Sequence, residues 1–523
     1  MRSEAATFDA NVQRGPRTGR RSAIVWLAPL QAACASTVLA AISGGEILRG
    51  WILAALFLTM ALPLFFSLEA GLFAVMLFEP FRGLVRRGQY LIVDYSQFDP
   101  IHILTPLVTL VALGILLRRY RFTLFRATPL ALTVTVLTAI FVAQIFNPLQ
   151  GSLLVGFSGA LLVLVPVAWF YFGQFVSQRF VLVLFKMIVV LGMLTSLHGI
   201  YQLTYGYPSF EQYWLDHVEF YNAIAVGHVT RAIATFSSAE EWGRYIVMGA
   251  LIAFGFGLGT NRLLPRTAWW LSGVTLSLVL LLTGQRTAIF GLILGFITLV
   301  LVGARSFRGA TARLLLLSLP ILLVVLLANP PSEDEMWSRG GDETVGTVLS
   351  HTQRGVLQPE NEESLYVRLR IWQELATNVI PYRPLGSGLG ASSLSALKFS
   401  DGPQLPNSDN FVFVMAISCG IPGALLFLLI LFRATAFALR ATRRAQEISA
   451  RATINRIAAA LMAVFVLNSI FGLTFSLYAV APVAWLIIGW LSAEEGRARD
   501  EIANGGAGAG QVQVETSKDI CAN

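Results

Sequence analysis

Four arginines and two carboxylates are the residues of this chain whose types and spacing suggest chemistry. They are Arg231, Arg286, Arg368, Arg370, Glu241 and Asp409. Glu241, Arg286 and Asp409 each stand at the start of a long apolar run. Arginine holds phosphate oxygens through charge-assisted hydrogen bonds, and a carboxylate can orient or deprotonate a hydroxyl. The set therefore predicts a site that binds an anionic group and activates a hydroxyl.

The composition indicates that the elements positioning these residues are transmembrane helices. Of the 523 residues, 55% are hydrophobic and only 13% are charged, about half the charged fraction of soluble domains. Apolar runs of about 17–25 residues recur, which is the length that a helix needs to cross a bilayer. Backbone groups in lipid need internal partners, and the runs are too continuous for a barrel. We therefore predict an all-α, polytopic integral membrane protein. Its net charge is +8, and we expect its basic residues to contact anionic lipid headgroups rather than nucleic acid.

The distribution of arginine predicts about fourteen spans with both termini in the cytoplasm. Basic loops stay on the cytoplasmic side of a membrane, so neighbouring basic clusters must be separated by an even number of spans. The clusters lie at residues 14–21, 118–126, 261–266, 304–313 and 439–451. The run over 51–79 must then be a hairpin of two short helices, broken near Ser67–Glu69. If it is one helix and 23–42 lies on the membrane, the count is twelve.

This topology predicts five regions and a polar face outside the cytoplasm. The regions are a basic cytoplasmic N-terminus (1–22), transmembrane helices (23–328) with an outer loop (205–244), a large outer loop (329–408), C-terminal transmembrane helices (409–492) and a disordered cytoplasmic tail (493–523). Arg286 then lies in a tight turn on the outer face, between the spans 268–283 and 287–303. It is either an arginine that reaches the membrane interface or an anion site beside a helix N-terminus.

Both carboxylates have structural alternatives. In "SSAEEWGRY", Ser238 is a candidate N-cap with Glu241 at the capping-box position. Asp409 is a candidate N-cap of the helix that follows it. If it is buried at the membrane rim, Asp409 is instead a stronger base, because burial raises the pKa of a carboxylate. Pro422 predicts a kink or a division of that helix.

The sequence of the large loop predicts a short amphipathic helix over 364–379, followed by a Pro/Gly-rich turn. The turn contains "GSGLG" (386–390), in which Gly386 and Gly388 are expected to allow close backbone approach rather than to bind a dinucleotide. Three consecutive carboxylates, Glu333-Asp334-Glu335, cannot all face one ion, so we expect no metal site. No cofactor is predicted.

Four pieces of sequence, in order, resemble the O-antigen ligase / Wzy-type polymerase family of bacterial envelope glycosyltransferases. They are "RAIATFSSAEEWGRY", "TGQRTAIFG", "RLRIWQEL…PLGSGLG" and "DNFVFVMAISCGIPG", and the similarity covers roughly 200–435. The resemblance implies a GT-C-like, metal-independent membrane glycosyltransferase for surface polysaccharide such as O-antigen, exopolysaccharide or capsule. Its donor would be a glycan on a polyprenyl diphosphate at the periplasmic face. The acceptor would be lipid A-core for a ligase or another lipid-linked glycan for a polymerase, and a chain-length regulator is a further expected partner.

The resemblance also implies roles for individual residues. Arg231 and Arg286 fall at positions expected to bind the donor diphosphate, with Arg368 or Arg370 as a further basic position. Asn410, Gly386 and Gly388 would position the acceptor or the loop. Ligases typically place a histidine directly before the asparagine, and this chain has Asp409 there, which favours a polymerase. Asp409 is the first candidate for the catalytic base and Glu241 the second.

Three alternatives stay open on the sequence alone. A transporter or flippase of lipid-linked oligosaccharide usually needs charged groups near the bilayer midplane, and these spans are nearly free of them. A peptidoglycan-type polymerase of the shape-and-division group fits the motif order less well. The third alternative is an inactive or scaffolding relative in which Asp409 marks lost ligase chemistry.

Overall fold

The computed structural model describes residues 47–95, 99–218, 225–226, 229–303, 363–393, 405–406, 408–444 and 449–503. The first half of this part of the chain is helical apart from one small hairpin. Its helices are α1 (Ile47–Ala61), α2 (Pro63–Phe66), α3 (Leu68–Phe78), α4 (Arg82–Gly88), α5 (Ile101–Tyr120), α6 (Ala131–Ile145), α7 (Leu153–Gly173), α8 (Gln178–Tyr205) and α9 (Ser209–His217). Strands β1 (Ala225–Val226) and β2 (Val229–Thr230) pair antiparallel.

The second half continues with seven helices. They are α10 (Ala239–Gly259), α11 (Leu263–Leu282), α12 (Arg286–Gly303), α13 (Glu363–Glu374), α14 (Phe411–Arg444), α15 (Ala450–Ile470) and α16 (Ala481–Ala503). A π-helical turn, Leu375–Val379, extends α13, which confirms the amphipathic helix predicted over 364–379. Helix α10 begins before residue 245, so the predicted loop 205–244 includes its first turn.

Nine helices in the described ranges are long and apolar enough to cross a membrane. They are Ile47–Phe66, Ile101–Arg126, Leu153–Gly173, Gln178–Tyr205, Ala239–Gly259, Leu263–Leu282, Arg286–Gly303, Phe411–Arg444 and Ala450–Ile470, and Ala131–Ile145 is a shorter apolar helix. The chain is thus an all-α polytopic membrane protein, as predicted. The predicted spans 68–79 and 478–492 are also helical, whereas 23–42 and 312–328 lie outside the described residues, as does Glu333-Asp334-Glu335.

The predicted hairpin at Ser67–Glu69 is confirmed, and a single helix over 51–79 is wrong. Ser67 has an extended backbone (φ −157°, ψ 150°), and its hydroxyl accepts a hydrogen bond from Ala70 N–H at 3.0 Å, so it caps α3. Gly71 in α3 lies against Leu64 in α2, where a Cβ would come within 2.1 Å of the leucine side chain. The chain therefore turns back on itself at Ser67.

The helix ends next to three of the basic clusters, 118–126, 261–266 and 439–451, gather at one face of the described bundle. Glu494 and Glu495 on α16 pair there with Arg440, Arg444, Arg451, Arg497 and Arg499. Leu130 N–H, just after the cluster that follows α5, donates to Ser492 Oγ at 3.0 Å. The C-terminal end of α10 packs against Thr453 at the start of α15. We call this end the basic face.

The ion pairs of the basic face also correct the position of the C-terminal tail. Helix α16 continues to Ala503, so the disordered segment predicted from residue 493 does not begin there. Glu494 and Glu495 are buried under arginines from α14 and α15. These contacts stabilise about three further turns of helix beyond the apolar run, which hydropathy alone does not predict.

Candidate functional site

Arg368 and Asp409 are in direct contact at the end of the bundle opposite to the basic face. Helix α14 runs from this end, where Asp409 precedes it, to Arg444 at the basic face. Arg368 Nε on α13 donates to Asp409 Oδ2 at 3.0 Å, and the two side chains are 37% and 50% exposed. An ion pair this exposed contributes about 0–1 kcal/mol to stability. The pair can therefore exchange partners at little cost.

Asn410, and not Asp409, is the N-cap of α14. Its Oδ1 accepts hydrogen bonds from Val412 N–H at 2.9 Å and Phe413 N–H at 3.2 Å, which are the donors that an N-cap satisfies. The prediction that Asp409 caps this helix is wrong, because the helix begins one residue later. Asp409 is also exposed, so the burial expected to make it a stronger base is not found. Its carboxylate faces solvent and Arg368.

The two candidate arginines on α13 are not equivalent. Residues two apart on a helix do not share a face. Arg368 meets Asp409, while Arg370 is exposed. The structure therefore selects Arg368 of the two as the residue that adjoins Asp409.

A third arginine, Arg244, lies beside this pair. Its side chain is 2% exposed, and Nη2 lies 3.2 Å from each of three acceptors: Glu240 Oε1, Thr287 Oγ1 and Phe471 O. It also interacts electrostatically with Arg368 and Asp409. Sequence reasoning did not include Arg244 in the site. The available signal was its position four residues after Glu240, which is the spacing of a helical ion pair.

Arg286 adjoins the same cluster through the N-terminus of α12. It is the first residue of that helix, and the next residue, Thr287, contacts Arg244. The tight turn predicted before Arg286 is present: Gly284 has φ 67°, and a Cβ on Gly243 of α10 would lie 3.2 Å from Gln285. A cation at the positive end of a helix favours an anionic ligand.

Arg231 is held in the segment that leads from β2 to α10. Tyr207 Oη donates to the Arg231 carbonyl oxygen, and Gln202 Oε1 accepts from Ile233 N–H at 3.1 Å. The Arg231 side chain is partly exposed. Its position is therefore set through its own backbone and the residues that follow it.

Glu241 is a capping residue of α10, as the capping-box pattern in "SSAEEWGRY" predicted. Ser238 Oγ accepts from Glu241 N–H at 3.1 Å, and Glu241 Oε2 accepts from Ser237 N–H at 3.4 Å. Glu241 Oε1 accepts from Ala479 N–H at 2.9 Å. The side chain is buried with both oxygens bound to backbone donors, so it ties α10 to the segment before α16.

Replacing Glu241 with glutamine should therefore leave activity within about threefold of wild type, although a catalytic base contributes about 10²–10⁴-fold. Glutamine keeps one acceptor oxygen for Ala479 N–H but loses the charge beside Arg82, so we expect stability to fall by about 1 kcal/mol. Turnover and apparent Tm of the purified chain measure the two effects. A loss of turnover above a hundredfold at unchanged Tm would instead make Glu241 catalytic.

Sequence reasoning missed a buried arginine network in "EPFRGLVRRG". Arg82 Nε lies 3.2 Å from Glu79 Oε2, and Arg82 Nη1 lies 2.9 Å from His102 Nδ1. Its guanidinium stacks 3.3 Å above the Tyr478 ring, and Nη2 is 3.8 Å from Glu241 Oε1. Arg82 therefore links the N-terminal helices to the cap of α10.

Arg87 fixes the segment between β2 and α10 in the same way. It donates to Glu211 Oε1 at 2.8 Å and to the carbonyl oxygens of Phe236, at 2.6 Å, and Ala234. Burial opposes ionisation of Glu211, but hydrogen bonds from His198 and Gln202 and the charge of Arg87 outweigh it, so the pKa of Glu211 is lowered. The signal in the sequence was a basic cluster on a loop that topology places outside the cytoplasm, as for Arg286.

The break in α14 positions the start of that helix. The chain departs from helical geometry at Gly420 (φ 72°, ψ 179°), two residues before Pro422, which confirms the predicted division. Loop 384–390 fills the break, where Ser387 N–H donates to Ile417 O at 2.7 Å. Loop 384–390 is thereby anchored to the helix that Asn410 caps.

Gly386 and Gly388 allow this loop to approach closely, as predicted. Their φ values are 95° and 110°, which side chains rarely adopt. A Cβ on Gly386 would lie 2.6 Å from Ser418 O, and one on Gly388 would lie 2.5 Å from Gln150 Oε1. Both glycines hold the loop against its neighbours.

The assembled site combines several cations with one exposed carboxylate. The cations are Arg244, Arg286 and Arg368, and the N-terminus of α12 adds positive potential. Such a cluster can bind a multiply charged anion, and Asp409 can orient or deprotonate a hydroxyl.

Comparison with known protein families finds a match to part of the chain. Residues 271–428 match the family model described as O-antigen ligase. The matched range includes Arg286, Arg368, Asp409 and loop 384–390, and it begins after Arg244. A search of curated proteins found no match to this chain.

Proposed function

We propose that this chain is a member of the O-antigen ligase / Wzy-type family, whose model matches residues 271–428, and that it transfers glycan from a polyprenyl diphosphate carrier to an acceptor hydroxyl. The family match supports an O-antigen ligase- or polymerase-type function and a membrane glycosyltransferase. The observation that carries the finer proposal is the cluster formed by Arg368, Arg244 and Arg286, on three different helices, with Asp409 just before a fourth. A lipid diphosphate supplies the multiply charged anion that such a cluster suits.

The two faces of the bundle support a periplasmic site. The basic face collects arginines at the ends of α14, α15 and α16, and basic segments that flank transmembrane helices remain in the cytoplasm. The Arg368–Asp409 pair lies at the opposite end of α14. With this orientation in the inner membrane, the site meets donors that have already crossed the bilayer.

In this proposal the arginines and Asp409 have different roles in glycosyl transfer. Breaking the anomeric C–O bond leaves a diphosphate whose developing charge the arginines stabilise, a role that requires no metal. The acceptor hydroxyl is oriented and deprotonated by Asp409. Direct displacement on the face opposite to the leaving group would invert the anomeric centre.

Polymerisation is the favoured outcome of this chemistry. Ligases of the family typically carry a histidine where this chain has Asp409, so the acceptor here is proposed to be another lipid-linked repeat unit. The alternative is ligation to lipid A-core, which the description of the matched family favours.

Deletion and complementation test the proposal. The deletion should remove long surface polysaccharide and leave single repeats, whereas unattached lipid-linked polymer would indicate a ligase. Complementation with Arg286→Ala should restore less than about 1% of the polymer, because removing a preorganised stabilising group costs about 10²–10³-fold in rate.

Arg266→Ala is the matched control, since Arg266 is exposed at the other end of the α11–α12 hairpin. It should restore full-length polymer at an equal protein level. Normal chain-length ladders with Arg286→Ala would contradict the proposal.

A further inference from the structure

Arg244 has hydrogen-bond donors that the described part of the chain does not satisfy. Nη2 lies near three acceptors, but Nε and Nη1 are buried and have no hydrogen-bond partner among the described residues. The side chain as a whole is 2% exposed. Buried arginine donors that stay unpaired are costly, since each unsatisfied group loses its hydration without compensation.

The charges around Arg244 favour an anion as the ligand of its unpaired donors. Glu240 compensates one positive charge, but its Oε1 is shared with Leu473 N–H at 3.2 Å. Arg368 adds a second cation nearby. Two like charges with helix N-termini beside them favour a ligand with more than one negative charge.

The chain also fits closely around the guanidinium. Gly472 lies so near that a Cβ there would come within 2.1 Å of Arg244 Nη2. Trp372 packs on Phe471 with ring centroids 5.9 Å apart, and Trp372 Nε1 is another buried donor without a partner among the described residues. Elements α10, α12, α13 and the end of α15 thus fix Arg244 in place while leaving donors unused.

We propose that Arg244 is a further anion-binding residue of this site and takes a phosphate group of the lipid diphosphate donor. This inference rests on the proposed function. The exposed Arg368–Asp409 pair exchanges on binding: the diphosphate takes Arg368 from Asp409, and its oxygens reach Nε and Nη1 of Arg244. Asp409 is thereby released to the acceptor hydroxyl only when the donor is present.

A binding measurement on the full-length purified chain tests the assignment without relying on activity. The probes are a polyprenyl diphosphate, the matching polyprenyl alcohol, inorganic diphosphate and phosphatidylglycerol, each assayed by the rise in apparent Tm in detergent. A ligand that binds only the folded chain raises the free energy of unfolding by RT ln(1 + [L]/Kd), and the apparent Tm rises with it. We expect the polyprenyl diphosphate to raise Tm, inorganic diphosphate to do so more weakly, and the alcohol and phosphatidylglycerol to have no effect.

Two variants are compared with the wild-type chain. Arg244→Lys keeps the positive charge but loses the planar guanidinium donors. Thr287→Val removes the hydroxyl that accepts a hydrogen bond from Arg244 Nη2. We expect Arg244→Lys to weaken lipid diphosphate binding at least tenfold and Thr287→Val severalfold. Arg266→Lys, at the basic face, should bind as wild type does. Thr287→Val keeps the test informative if Arg244→Lys lowers the ligand-free Tm.

The outcomes separate the two proposals. Wild-type affinity in both variants would overturn the role of Arg244 while leaving the proposed function intact. Equal stabilisation by phosphatidylglycerol would make the site a phospholipid headgroup site and overturn the donor assignment. Failure of the wild-type chain to bind any diphosphate would contradict the proposed function itself.

Discussion

Replacing Asp409 with asparagine should lower glycosyl transfer by about 10²-fold or more, which is the contribution of a general base. The amount of protein in the membrane and its apparent Tm should not change, because Asp409 is half exposed and its ion pair with Arg368 is open to solvent. Asparagine has nearly the same shape but neither takes a proton nor holds the arginine as a charged partner. Transfer is measured with purified chain and lipid-linked glycan.

Asn410→Ala is the matched control for the Asp409 variant. Asn410 caps α14 through Val412 and Phe413, so its loss should cost about 1 kcal/mol of stability. Its effect should appear in Tm, whereas that of Asp409→Asn should appear in turnover. Full turnover with Asp409→Asn would remove Asp409 from the chemistry and leave it as a partner of Arg368.

Features set by residues close in sequence could be predicted. The hairpin break at Ser67 depends on a cap three residues away, and the Ser238–Glu241 box closes within one helical turn. The division of α14 near Pro422 and the positive φ of Gly386 and Gly388 also follow from local residue types. Each signal is read within a few positions because the physical interaction itself is local.

The site could be predicted only in part. Some of its contacts join residues far apart in sequence, and others depend on the exact residue at which a helix begins. Asp409 and Asn410 are both good N-caps, and the choice depends on where α14 begins. Arg87 meets Glu211 across 124 residues and Phe236 across 149. Arg244 reaches Phe471 across 227 residues. Sequence patterns place such arginines at a membrane rim but do not identify their partners.

These long-range contacts also change how the basic residues are interpreted. Arg82 and Arg87 lie at the end of the bundle that should be poor in arginine, yet both are buried and paired with carboxylates. A paired, buried arginine is part of the fold and does not set orientation as a free loop arginine does. The same face therefore holds structural arginines beside Arg368, which is exposed and exchangeable.

The division of α14 links the fold to the site, and Gly420→Ala should strongly destabilise the chain although it adds only one methyl group. Gly420 has φ 72°, and a Cβ would lie 2.3 Å from Pro384 O and 2.5 Å from Leu385 C. Backbone strain of this kind costs about 1–3 kcal/mol, and overpacking costs about 1–3 kcal/mol more. Because backbone atoms form the contact, no side chain can move aside to relieve it.

The matched control is Gly114→Ala in α5, where a Cβ meets nothing within 4 Å. Gly114→Ala should give wild-type yield and Tm, whereas Gly420→Ala should give little monodisperse protein and a clearly lower Tm. Loop 384–390 is anchored at the break through Ile417 and Pro384. Residual Gly420→Ala protein should therefore also lose the placement of α13 and, with it, the Arg368–Asp409 pair. Equal yield and Tm for the two alanine variants would show that the break at Gly420 does not hold the outer loop in place.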